Sequence, residues 1–387
     1  MKVGGTVNPL PRVAVASLLL LAWSCSRAEP AAGEAPPATD LFVDVAGDVG
    51  LAAYEHYRGF TPYRYLVETM GGGVGWIDYD LDGWPDAYLV QSAALPESEP
   101  RREVGNHLLR NLEGREFRDR TEAAGVGDTG FGMGCAVGDA DGDGDPDLLV
   151  ANYGPNVFYR NAADGTFADA TAASGLGDDG WGVSAGFFDA DRDGDLDLYL
   201  VNYVVFSRER QRELAASEGG RFTAYPHPDL FDAQPDRFYL NDGTGSFRDA
   251  AEEAGLSAVL PGKGLGVAFA DVENDGDVDV YVANDSTPNF LFVNDGAGRF
   301  EERGALTGCA YNADGQTEAS MGVGFGHVDD DGYADLFMTH LDLETNTLYR
   351  SRMRGGSFEF VDRTRSAGLA VPSIRQTGFG EIGRAHV

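Results

Sequence analysis

Five stretches of this chain can be laid over one another, and each carries the same spacing of acids. They read GVGWIDYDLDGWPDAYLVQS from Gly73, GCAVGDADGDGDPDLLVANY from Gly134, SAGFFDADRDGDLDLYLVNY from Ser184, GVAFADVENDGDVDVYVAND from Gly266 and GVGFGHVDDDGYADLFMTHL from Gly322. The acidic pattern begins at residues 78, 139, 189, 271 and 327, at intervals of 61, 50, 82 and 56. A second motif follows, as in NVFYRNAADGTFADATAASGL from Asn156 and DRFYLNDGTGSFRDAAEEAGL from Asp236. Each unit thus holds four strand-length runs, the last two joined over an Asn/Asp-Gly turn that tolerates positive φ. Four antiparallel strands repeated at this period cannot bury both faces alone and must stack on their neighbours. The expected fold is all-β, a β-propeller of four-stranded blades over residues 41–380. The fragment LFVDVAGDVGL, Leu41 to Leu51, matches only the last strand of a unit and is expected to complete another blade.

Within each unit the acids follow D-x-D-x-D-G-x-x-D. The first loop is Asp78, Asp80, Asp82 and Asp86; the second Asp139, Asp141, Asp143 and Asp147; the third Asp189, Asp191, Asp193 and Asp197; the fourth Asp271, Glu273, Asp275 and Asp279. The fifth is His327, Asp329, Asp331 and Asp335. A hard divalent cation takes six to eight oxygen ligands, and carboxylates at positions 1, 3 and 5 of a sharp turn converge to supply them. Gly at position 6 permits the turn, the carbonyl at position 7 is free to coordinate, and position 9 can close the site. Position 12, where an EF-hand would need Glu, is Leu89, Val150, Leu200, Val282 and Met338. The loops therefore read as calcium sites in β-hairpins, about four to five ions in all. A neutral imidazole at His327 is a poor calcium ligand, so the fifth site is expected to be weak or empty.

The formal net charge is −34, and 23 of the 63 acidic residues lie in these loops. Such a charge opposes binding to nucleic acid and anionic membranes. At the N-terminus, Lys2 and Arg12 precede about eleven apolar residues, VAVASLLLLAW, too short for a permanent anchor. Residues 1–24 read as a signal peptide, with Ala22 and Ser24 placed for cleavage before Cys25, itself a candidate lipid anchor. Residues 25–40 read as a flexible linker. The expected location is extracellular or cell-surface, periplasmic or outer-membrane attachment included, with no transmembrane helix in the mature chain. Cys135 and Cys309 are too few for a disulfide framework.

At these motifs the sequence resembles the FG-GAP/VCBS repeat class, which includes the integrin alpha-subunit propeller. Over nearly the whole mature chain it is similar to bacterial relatives of the cartilage acidic protein family, which usually carry a C-terminal ASPIC/UnbV domain. The stretches FGMGCAVGDADGDGDPDLLVANYGPNVFYRN, GKGLGVAFADVENDGDVDVYVANDSTPNFLF and CAYNADGQTEASMGVGFG carry that resemblance. It implies seven blades in the intact protein, an extracellular location and a role in adhesion or recognition of an extracellular protein or glycan. Thr377 to Gly380 align with Thr129 to Gly132, the opening of another unit, whose acidic loop is expected from residue 387. EIGRAHV stands there instead, and residues 381–387 read as a non-native tail encoded by a sequencing adapter read in frame, the propeller being truncated.

The long insertions, Gln91 to Gly105 and Val204 to Gln234, fall on 2–3 connections and so gather on the face opposite the acidic loops. Phe131, Tyr153, Trp181 and Tyr203 lie on the same face. They are candidates for ligand stacking, with blade-to-blade packing as the alternative. The rival function is a calcium-dependent polysaccharide lyase or hydrolase. Against it, the only lysines are Lys2 and Lys263, the six histidines are scattered, and no catalytic residue is assigned.

Overall fold

In a computed structural model the described residues are 43–98, 102, 104–217 and 224–379. The signal peptide, the linker with Cys25 and the tail 381–387 lie outside them. The repeat predicts the architecture found. Blade 1 is β1 (Val74–Ile77), β2 (Asp86–Leu89), β3 (His107–Asn111) and β4 (Phe117–Asp119). Blade 2 is β5 (Phe131–Gly138), β6 (Asp147–Tyr153), β7 (Val157–Asn161) and β8 (Phe167–Asp169). Blade 3 is β9 (Gly182–Phe188), β10 (Asp197–Asn202), β11 (Arg237–Asn241) and β12 (Phe247–Asp249). Blade 4 is β13 (Gly264–Ala270), β14 (Asp279–Asn284), β15 (Phe290–Asn294) and β16 (Phe300–Glu302). Blade 5 is β17 (Val323–Gly326), β18 (Asp335–Met338), β19 (Thr347–Arg354) and β20 (Ser357–Asp362). Each is a four-stranded antiparallel sheet in sequence order, and these are the blades of a β-propeller.

The second strand of each blade shows why one blade cannot stand alone. Alternate residues of a strand point to opposite faces. In β6, Leu148 and Val150 pack with Tyr88 and Leu108 of blade 1, whereas Leu149 and Ala151 pack with Leu198 and Leu200 of blade 3. Tyr199 and Val201 of blade 3 then meet Val280 and Val282 of blade 4, and Tyr281 and Ala283 meet Leu336 and Met338 of blade 5. The core is a series of apolar layers between blades.

A corner follows each fourth strand. Asp119, Asp169 and Asp249 each accept the N–H two residues on, at 2.9–3.0 Å, and the chain turns through a left-handed Gly. Gly175 shows what this requires. Its φ is +82°, and a Cβ there would come within 2.8 Å of the Phe247 carbonyl oxygen in the next blade. The N-terminal fragment is the same corner: Asp44 accepts from Ala46 N–H at 2.9 Å, Gly50 has φ +84°, and Val49 O accepts from Phe117 N–H at 2.8 Å. The described part, from Val43, forms no strand; Leu41 and Phe42 lie outside the described residues. Val49 and Leu51 cover Ala87, Leu89 and Leu109 of blade 1, as a preceding blade would.

Candidate metal centres

The acidic loops join the first and second strands of every blade. In blade 2 the pair Gly138–Asp147 stands at the loop end of the β5–β6 register and Phe131–Tyr153 at the far end, which puts the acids and the four aromatics at opposite ends of the sheet. Each loop is built by its own carboxylates. The Asp139 oxygens accept from Asp143 N–H at 3.1 Å and Gly144 N–H at 2.9 Å, and Asp78 and Asp271 do the same in their loops. Gly at position 6 has φ between +85° and +96° in all five loops, a turn that a Cβ would strain.

Position 9 has a second duty that spacing did not reveal. Asp147 is 1% exposed, and its oxygens accept from Ala140 N–H at 3.0 Å and Asn161 N–H at 2.8 Å. Asp86, Asp197, Asp279 and Asp335 make the equivalent pair of bonds. This carboxylate ties the loop to the third strand. Burial pushes Asp147 up to about 6 and Asp86, Asp197 and Asp279 up to about 7.

Three groups bring ligand atoms within 4.8 Å of one another: Asp78, Asp80 and Asp86; Asp139, Asp141 and Asp143; Asp189, Asp191 and Asp197. Burial first, and the adjacent position-5 carboxylate second, raise Asp80, Asp141 and Asp191 above the usual carboxylate range. Asp80 Oδ1, Asp141 Oδ1 and Asp189 Oδ1 are buried with no hydrogen-bond partner. Orphaned buried carboxylate oxygens in all-oxygen loops suit a hard cation, so the residues of these three loops fit calcium. Loop four contributes Asp271, Glu273, Asp275 and Asp279, with Arg303 3.8 Å from Glu273. Loop five fits poorly: His327 Nδ1 lies 2.9 Å from Tyr333 O, the position-7 carbonyl a cation would need, and Arg350 pairs with Asp329 and Asp335.

At the other end of the sheets the four aromatics do not line an open mouth. Phe131, Trp181 and Tyr203 are buried, Tyr153 is half-buried, and all pack with Tyr65, Phe206 and Phe231. Trp181 meets Tyr153, Tyr203 and Phe206 edge to face at 5.2–5.4 Å. The cause is the second insertion, which folds back over them. Its helix, Arg208–Ser217, sends Gln211 to Leu66 N–H at 2.9 Å and Arg64 O at 2.9 Å, while Arg208 and Arg212 pair with Glu97 of the first insertion. Lys263 joins the same face through Asp229 at 2.5 Å. Nothing in the sequence marked Glu97 or Gln211, because both act across long separations.

A Ser–His–Glu grouping also escaped the sequence. His340 Nε2 lies 3.2 Å from Ser320 Oγ and 3.6 Å from Glu318 Oε2. One ring nitrogen faces both partners, so no relay through the imidazole is built, and Ser320 and His340 are fully buried. Among the described residues the two cysteines are free, Cys309 buried and Cys135 partly so, and burial pushes both thiols up to about 12, away from the reactive thiolate.

The family model for the FG-GAP-like repeat matches residues 78–150, 139–200, 226–282 and 271–338, more than half of the chain. The chain belongs to this family. Among curated proteins it is 31% identical to Cartilage acidic protein 1 of Mus musculus over 107 residues, 28% of this chain and 16% of that protein. Against Cartilage acidic protein 1 of Homo sapiens it is 28% identical over 148 residues, 38% of this chain and 21% of that protein. The matched part is thus about a fifth or less of these relatives. Among solved structures, an Agrocybe aegerita lectin specific for non-reducing terminal N-acetylglucosamine aligns over 74% of this chain and 64% of that one, at 16% identity and a TM-score of 0.40. Among the described residues, no helix is long and apolar enough to cross a membrane.

Proposed function

We propose that this FG-GAP propeller is a secreted or surface-attached calcium-binding module that recognises an extracellular protein or glycan and is not an enzyme. The observation that carries the calcium reading is the set of orphaned, buried carboxylate oxygens at Asp80, Asp141 and Asp189, each in an oxygen-only loop. Calcium would be held by the carboxylates at positions 1, 3, 5 and 9, and it would neutralise acids that raise one another's pKa. The loops would then be rigid, and so would the blade rims that carry them. Recognition without catalysis is supported by the acids themselves: the clustered carboxylates are committed to loop geometry. The buried imidazole of His340 reaches no open surface.

The test has two stages. Chelator-treated protein is titrated with Ca2+ in a calorimeter, with melting temperature recorded before and after. Binding of several ions with a rise in melting temperature is expected; no heat and no shift sink the calcium reading. The protein is then screened against glycans and extracellular matrix proteins with and without Ca2+. Turnover of any acidic polysaccharide in that screen overturns the non-enzymatic reading.

A further inference from the structure

The five loops share one spacing, with His327 and Glu273 the departures from Asp, but they differ in the residue that faces them from the third strand. That residue precedes Asn111, Asn161, Asn241, Asn294 and Ser351, and it is Arg110, Arg160, Leu240, Val293 and Arg350 in turn. Arg110 Nε lies 2.6 Å from Asp80 and its Nη2 donates to Asp82 at 2.9 Å. Arg160 Nε lies 3.1 Å from Asp141, and Arg350 pairs with Asp329 and, at 3.0 Å, with Asp335. In each case the guanidinium reaches the position-3 carboxylate, a group a cation would need. Arg110 Nε and Arg160 Nε make these contacts without hydrogen-bond alignment, so the attraction is chiefly one of charge.

Loop four has Val293 in that place but Arg303 lies 3.8 Å from its position-3 Glu273, whereas loop three has no such partner. Among the described residues, no Arg, Lys or His lies within 4.0 Å of the carboxylates of Asp189, Asp191, Asp193 or Asp197. The loop carries an arginine of its own, Arg192 at position 4. Its side chain is turned away to the fourth loop, 3.3 Å from Asp277 and 3.3 Å from Asp275 O.

We infer that Arg110, Arg160 and Arg350 are built-in counter-ions that weaken cation binding at loops one, two and five, and that loop three is the tight site. The inference rests on the calcium reading above. A fixed positive charge on a ligand carboxylate both competes for its oxygen and repels the incoming ion. It also relieves the like-charge repulsion that a metal-free loop would suffer. The arginine loops are therefore held in shape without the ion, whereas loop three depends on it.

The experiment uses the full chain, stripped with chelator and titrated with Ca2+ by calorimetry, beside Leu240→Arg, Arg160→Leu and Arg160→Lys. The expected wild-type curve has one ion in a tight class and the rest weaker. Leu240→Arg should weaken the tight step about tenfold. Arg160→Leu should move a second ion into the tight class and lower the melting temperature in chelator, while Arg160→Lys stays close to wild type. Circular dichroism identifies any variant that fails to fold, and the arginine variants then decide the matter. Calcium binding at equal, unaltered affinity in all four proteins overturns the inference and leaves the calcium reading standing. Absence of any calcium binding overturns both.

Discussion

The Tyr199 hydroxyl donates to Asp236 Oδ2 across 3.0 Å, and Asn202 N–H donates to Asp236 Oδ1 at 2.9 Å. The slot is repeated in the other blades, where it holds a neutral amide. Asn106, Asn156, Asn289 and Asn346 accept from the N–H of Gln91, Asn152, Asn284 and His340. Blade 3 alone among the described blades puts a carboxyl there. The carboxyl is enclosed although the residue as a whole is only partly buried, and that burial pushes it up to about 7.

The sign of the pH effect follows. An unfolded Asp titrates near 4. The folded form therefore holds the proton between about 4 and 7, and no penalty exists below that window. As pH rises through it the folded state must bury a charge, and stability falls. Asp236→Asn restores the amide of the other blades. It is expected to leave stability near pH 4.5 almost unchanged and to raise it at pH 8 by roughly 1–3 kcal/mol. Urea unfolding at the two pH values measures this, and an equal effect at both would rule out titration as the cause.

The blades were legible because the repeat writes the same strand pattern five times. Short strands such as Phe117–Asp119 would be weak signals singly but gain force from register with Phe167–Asp169 and Phe247–Asp249. The acidic loops were legible for the same reason. What spacing could not give was the division of labour inside them. Asp147 looks like Asp143 in sequence, yet only its contacts across the sheet to Asn161 show that it ties strands together. The aromatic cluster was placed on the correct face, but the choice between ligand stacking and packing stayed open there, because what covers it comes from Phe206, Phe231 and the segment around Tyr65. Contacts at such separations leave no periodic trace.

That division predicts different losses within one loop. Asp143 lies at the exposed turn, and Asp143→Ala should remove one calcium ion. With dissociation constants of about 0.1–1 mM, the lost linkage at millimolar calcium is roughly 0.4–1.4 kcal/mol. Asp147→Ala leaves the buried Ala140 and Asn161 N–H groups without acceptors, so it should cost about 2–4 kcal/mol even in chelator. Melting curves with and without Ca2+ for both variants check this; a calcium-independent loss at Asp143 would contradict it.

The blade corners make a second comparison possible. Gly50 and Gly175 share the left-handed conformation, at φ +84° and +82°. Alanine at either position should cost about 1 kcal/mol for the backbone alone. At Gly50 the added Cβ would sit 3.5 Å from the Phe117 carbonyl oxygen, an ordinary contact, but at Gly175 it would be 2.8 Å from that of Phe247. Gly175→Ala should therefore cost roughly 2–3 kcal/mol and loosen blade 2 against blade 3. Equal losses in the two variants would mean that the close approach to Phe247 carries no strain.

The insertion face yields the sharpest separation between packing and binding. Trp181 is 1% exposed and touches Tyr153, Tyr203 and Phe206. Its removal leaves a cavity beneath the helix Arg208–Ser217, at a cost of about 3–5 kcal/mol. The helix is held from one side by Gln211 and by the pairs of Arg208 and Arg212 with Glu97, so loss of its apolar footing should release it. Trp181→Ala is then expected to lower the melting temperature and to open the chain to trypsin at Arg208, Arg210 and Arg212. The exposed side chains Arg210 and Glu213 form the outer surface of the same helix and touch none of the buried aromatics. Changing both to Ala should leave stability within about 0.5 kcal/mol. If the helix presents the binding surface, that double variant loses a partner found in the screen while remaining folded and calcium-loaded. A Trp181→Ala protein with unchanged melting temperature and protease resistance but lost binding would instead make the aromatic cluster the ligand platform.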